Sequence, residues 1–124
     1  MTKVEGIELA KACALAADEN KAEDIKIIDV RGLSTLTDFM VICSGNSMPH
    51  LKAVLRDTEG LVIERHGVKP YKTEGRAETK WVVLDYVDVM VHVMHEDMRT
   101  LYGLEELWGD GKDVQWQEEP ASEE

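Results

Sequence analysis

Positive charge is what this chain has least of. Its 124 residues carry 14 Lys and Arg against 25 Asp and Glu, a formal net charge of −11. A protein that grips a nucleic acid backbone needs clustered cations to displace phosphate counterions, so direct binding to RNA or DNA is not expected. Cysteine is scarce as well. Cys13 and Cys43 lie far apart in apolar surroundings, without the CxxC spacing of redox or zinc sites, and both read as reduced core residues. No apolar run approaches the roughly 18 residues a membrane helix requires. The N-terminus carries acids throughout and lacks the unbroken apolar core of a signal peptide. The expectation is a cytoplasmic protein with no membrane partner.

Marked catalytic motifs are missing too. No GxSxG elbow is present, and no cysteine has neighbours that would obviously lower its pKa. His92 and His95 stand three positions apart, which on a strand turns them to opposite faces, so one ion could not take both. No metal or cofactor is expected. One enzymatic alternative can be assembled. Asp85 and Asp88 could hold a divalent metal for nucleotidyl transfer, with residues 44–47 (SGNS) as a phosphate loop ahead of a helix. That loop has a single glycine and no nearby Lys or Arg, and such junctions commonly serve only to turn the chain and cap the helix.

What is present is one compact α/β pattern. Residues 5–21 place Ile7, Ala10, Ala14 and Ala17 on one helical face. Residues 24–30 (DIKIIDV) read as a strand, and residues 38–45 (DFMVICSG), apolar on both faces, as a central strand covered on both sides. Ser47 can cap a second helix with Pro49 in its first turn, Leu51, Val54, Leu55, Thr58, Leu61 and Val62 follow helical spacing, and Gly67 stops it. Residues 71–75 predict a short strand. Residues 81–86 and 89–95 predict an antiparallel hairpin turning at Val87 and Asp88. Met98, Leu101, Tyr102, Glu105 and Trp108 mark one side of a single final helix. The expected architecture is one α/β domain over residues 1–109, with a mixed sheet of about five strands and helices on at least one face. Residues 110–124 hold six acids and one lysine and predict a disordered tail, leaving about −6 on the body.

Trp81 is the most informative residue of the hairpin. If Val82 and Leu84 point into the core, alternation turns Trp81, Val83 and Asp85 to the other face, setting an aromatic beside an acid. Such a pairing suits a protein interface, where aromatics anchor and charges orient; the alternative is that a helix covers this face and Trp81 is a core residue. Met98 and Tyr102, one turn apart on the final helix, extend this strip if the helix packs beside the hairpin. An acidic protein with such a face suits a basic protein partner.

Two long stretches, DIKIIDVRGLSTLTDFMVICSGNSMPHLKAV and WVVLDYVDVMVHVMHEDMRTLYGLEELW, resemble the Iojap or ribosomal silencing factor family over residues 24–108. The resemblance implies a domain reminiscent of nucleotidyltransferases but without demonstrated chemistry. It implies a repressor of translation that binds the large ribosomal subunit through ribosomal protein fourteen, blocks joining of the small subunit and acts when nutrients run low. It allows a homodimer when the protein is free. By position, Trp81, Asp85, Asp88 and Tyr102 match the family's tryptophan, acidic pair and LYxLExLW tyrosine, with Tyr86 and Met98 as apolar neighbours. The implied division of labour gives Trp81, Tyr86, Met98 and Tyr102 the apolar contact, and Asp85 and Asp88 the Lys or Arg of the partner. In one departure, Val87 stands where the family usually has Gly. A β-branched residue resists the positive φ of a tight hairpin, so a wider turn is expected.

Overall fold

In the computed structural model, which describes residues 4–116, the chain forms a six-stranded mixed sheet in the order β3-β4-β5-β2-β1-β6. Helix α1 (Gly6–Glu19) leads into β1 (Glu23–Asp29) and β2 (Phe39–Gly45), followed by α2 (Met48–His66) and β3 (Lys72–Arg76). A 3-10 turn (Ala77–Thr79) precedes the hairpin of β4 (Trp81–Asp85) and β5 (Val89–His95). Two short helices, α3 (Glu96–Tyr102) and α4 (Leu104–Leu107), then bring the chain to β6 (Lys112–Val114). All neighbours are antiparallel except β2 and β5, which run parallel from Phe39 opposite Val89 to Gly45 opposite His95.

The central strand and second helix form as their sequences require. Every residue of β2 is buried, since the sheet is covered on both faces there. The Ser47 hydroxyl accepts a hydrogen bond from the His50 N–H at 3.2 Å, Pro49 occupies the first turn, and Gly67 closes the helix in the left-handed region at φ 68°. On one face α1 and α2 pack their apolar sides over Ile27, Val41, Cys43, Val82, Leu84, Val91 and Val93. Small residues such as Ala10, Ala14 and Ala17 let α1 approach closely. Cys13 and Cys43 are free thiols in this layer, and burial pushes the pKa of each up to about 12. The other face carries a smaller cluster of Ile28, Val30, Met40, Ile42, Met94 and Leu104, joined by Trp81, Met98 and Trp108. Among the described residues no helix is long and apolar enough to cross a membrane.

Three expectations need correction. The sheet has a sixth strand because residues 110–116 are not a loose tail: β6 pairs with β1 from Ile27 opposite Val114 to Asp29 opposite Lys112. Trp116, unexplained by sequence, donates its indole N–H to the Ile25 carbonyl at 3.1 Å and packs on the core. The rest of the expected tail, residues 117–124, lies outside the described residues. The single final helix is two, because Gly103 takes φ 56° and closes α3 by donating to the Arg99 carbonyl. The hairpin turn is not widened either. Tyr86 N–H donates to the Val89 carbonyl at 2.8 Å, and Val87 itself adopts φ 79°. The Asp85 carboxylate accepts the Val87 N–H at 2.7 Å and pins this unfavourable conformation.

Candidate functional site

The site grows out of the strand that opens the hairpin. Strand alternation sends Val82 and Leu84 beneath α1 and α2, and Trp81, Val83 and Asp85 to the opposite face. There Trp81 meets the end of α3. Its ring lies 5.0 Å from that of Tyr102, tilted by 51°, within the range of favourable aromatic pairs. Met98, one turn earlier, packs on the same cluster as Trp81. The expected strip of Trp81, Met98 and Tyr102 is therefore assembled, and it is only partly covered: Tyr102 is 55% exposed, with Leu101 and Leu107 exposed at 72% and 69% on α3 and α4.

Beneath the strip lies His92, on β5 opposite Val83. It is 5% exposed, and its Nδ1 accepts the Trp81 indole N–H at 3.1 Å. Because the indole can only donate, neutral His92 must carry its own proton on Nε2. That buried N–H finds no partner among the described residues. Burial pushes the His92 pKa down to about 4, so the ring is neutral at ordinary pH.

A polar chain that sequence reasoning missed fixes α3 and α4 on this face. Arg99, 8% exposed, donates to the Ser44 hydroxyl at the end of β2 at 2.9 Å and to Glu105 of α4 at 2.6 Å. The other Glu105 oxygen lies 3.1 Å from the Lys26 ammonium on β1. Hydrogen bonds from Arg99, then from Lys26, hold the Glu105 carboxyl below its usual range. Charge complementarity within residues 99–105 was the available signal, but it points to no partner until the fold brings in Ser44 and Lys26.

The remaining sequence candidates fall elsewhere. Tyr86 is not on the exposed face: one residue beyond Asp85, alternation turns it inward, where it is 6% exposed in the core that includes Cys13. Asp88 is half-buried, and one of its carboxylate oxygens accepts the Gly6 N–H at 2.6 Å and holds the start of α1. Asp85 does share the face of Trp81, four residues along β4 or about 13 Å away. The nucleotidyl-transfer set does not come together. Asp88 borders the start of β5 and Ser44 lies at the end of β2, six residues along the paired strands, roughly 20 Å apart. Ser47 is spent on the α2 cap, and His95 accepts the Asp97 N–H at the start of α3.

The fold and site thus define a small mixed α/β domain with one sealed face and one face left partly open by two short helices. The family model described as "Ribosomal silencing factor during starvation" matches residues 3–124. The ribosomal silencing factor RsfS of Bacillus subtilis is 42% identical over 102 residues, 82% of this chain and 86% of that one. The maize chloroplastic protein Iojap is 31% identical over 90% of this chain and 48% of its own length. A crystal structure of a Chromobacterium violaceum protein superposes with a TM-score of 0.80 at 31% identity, covering 95% of this chain and 97% of that one. The Bacillus halodurans structure gives 0.74 at 35% identity, over 87% and 97%. The chain belongs to the ribosomal silencing factor family.

Proposed function

We propose that this protein represses translation by binding the large ribosomal subunit, with the strip of Trp81, Met98 and Tyr102 as its docking face, and that it is not an enzyme. The observation that carries the reading is the aromatic pair of half-buried Trp81 and exposed Tyr102 on a chain of this family. Clustered aromatics of this kind act as anchors in protein interfaces, and a net charge of −11 favours a basic partner. Ribosomal protein fourteen of the large subunit is the partner this reading names. Occupying it blocks joining of the small subunit, a step that needs a surface and no catalysis. Asp85, on the same face of β4, orients Lys or Arg at the rim of the contact. Silencing of this kind fits nutrient limitation in the cytoplasm.

Co-sedimentation with isolated large subunits, with small subunits as control, tests the reading. Native protein is expected to pellet with large subunits only. Trp81→Ala or Tyr102→Ala weakens binding by roughly thirtyfold, the loss of about 2 kcal/mol that follows truncation of an anchoring aromatic. Native protein that remains in the supernatant would refute ribosome binding, and two variants that bind normally would refute this face.

A further inference from the structure

We infer that His92 is the positioning residue of this docking face, holding the Trp81 indole in the orientation presented to the partner through the bond from Trp81 Nε1 to His92 Nδ1; the inference rests on the docking reading above.

His92 stands on the central strand β5, in a position flanked by Val83 on β4 and Ile42 on β2, where an aliphatic side chain would pack without polar cost. Instead the histidine is 5% exposed and buries an Nε2–H with no partner among the described residues, an arrangement that disfavours folding. What histidine supplies that leucine or valine cannot is the Nδ1 acceptor, and the group it accepts is the Trp81 indole at 3.1 Å. Trp81 is only half-buried, and this bond adds a directional constraint to its packing. The rings of His92 and Trp81 lie 5.9 Å apart and tilted by 48°, so the histidine bonds to the edge of the indole and does not stack beneath it. Tyr102 packs against the same indole at 5.0 Å. The indole is thereby held at one point by a buried acceptor and flanked by the second aromatic of the strip. An anchor set before binding loses less side-chain freedom on contact, so the benefit appears as affinity.

The test compares His92→Leu, which removes the acceptor, with His92→Asn, which restores one at the δ position. Two readouts are taken on the full chain: the Trp81 indole ¹H–¹⁵N resonance, assigned with Trp81→Phe, and affinity for purified large ribosomal subunits. His92→Leu, folded by its thermal transition, is expected to shift the indole proton upfield and to weaken binding about three- to tenfold, the equivalent of one ordinary hydrogen bond. His92→Asn is expected to return both readouts towards native. If His92→Leu moves neither the resonance nor the affinity while Trp81→Ala still weakens binding, the inference is overturned and the docking reading stands. A folded His92→Asn no better than His92→Leu in both readouts overturns it as well. Native protein that fails to bind large subunits refutes the docking reading and this inference with it.

Discussion

The buried histidine makes the stability of this protein sensitive to acid in a way that can be calculated. His92 titrates near 6.5 when unfolded, and burial lowers its folded pKa to about 4. Above pH 6.5 the ring is neutral in both states and contributes no pH dependence. Below 6.5 the unfolded chain takes up a proton that the folded protein refuses, so stability is lost at up to about 1.4 kcal/mol per pH unit. The loss levels off below about pH 4, where the folded ring is protonated too. Between pH 7 and pH 5 this amounts to about 2 kcal/mol. Glu105 and Asp29, whose carboxyls are held low by Arg99 and Arg31, lose their own stabilisation as pH falls through their depressed folded values. Their contribution is common to native protein and a His92→Asn variant and cancels in the difference. Urea unfolding at pH 7 and pH 5 should show the native protein losing about 2 kcal/mol more than His92→Asn. Losses equal within about 0.5 kcal/mol would mean that His92 is not held neutral by burial, and the tautomer assigned from the Trp81 bond would lose its support.

Other perturbations follow from the same geometry. Val87→Gly relieves a β-branched residue at φ 79° and should stabilise the fold by about 1 kcal/mol, seen as a higher melting temperature; an unchanged or lower one would contradict the strained turn. Arg99→Met removes the bonds to Ser44 and Glu105 and should cost about 2 kcal/mol, with hydrogen exchange accelerated in α3 and α4 before the rest of the sheet. Uniform acceleration would mean that Arg99 does not specifically secure those helices. Trp116→Ala should cost about 2 kcal/mol and open the chain near residue 110 to limited proteolysis, because it removes the apolar anchor and indole bond that hold β6 against β1. Resistance equal to native would show that backbone pairing alone retains the strand.

Local grammar was the legible part of this fold. The cap, proline and terminal glycine of α2 each act within a few residues, and β2 advertises burial on both faces by being apolar throughout. Strand β6 gave no such signal: Lys112 and Asp113 are exposed, and their pairing rests on backbone groups offered by an edge strand more than eighty residues earlier. Gly111 belongs to the same contact, since a Cβ there would fall 2.5 Å from Ile28 Cγ2. The break at Gly103 was written in the sequence, but apolar spacing continues across it and favoured one helix. Tyr86 could have been rejected from sequence, because the alternation that exposes Trp81 and Asp85 turns Tyr86 inward. The bond from Gly6 to Asp88 could not be read there, as tertiary structure alone brings the two together.

The two faces of the sheet are secured by different physics, and the difference bears on docking. Beneath α1 and α2, alanine-rich close packing holds the layer by excluding water, and the strand side chains there are covered. On the opposite face α3 spans seven residues and α4 four, too short to bury a comparable apolar area. A docking surface nonetheless has to be firm, because each side chain that must be ordered on contact subtracts from affinity. The chain from Ser44 through Arg99 and Glu105 to Lys26 supplies firmness without apolar cover, tying both helices to β2 and β1 by directed bonds beneath their exposed sides. Leu101, Tyr102 and Leu107 can then remain outside on a rigid support. Replacing the polar chain by a larger apolar contact would draw those side chains inward and remove the surface it now holds in place.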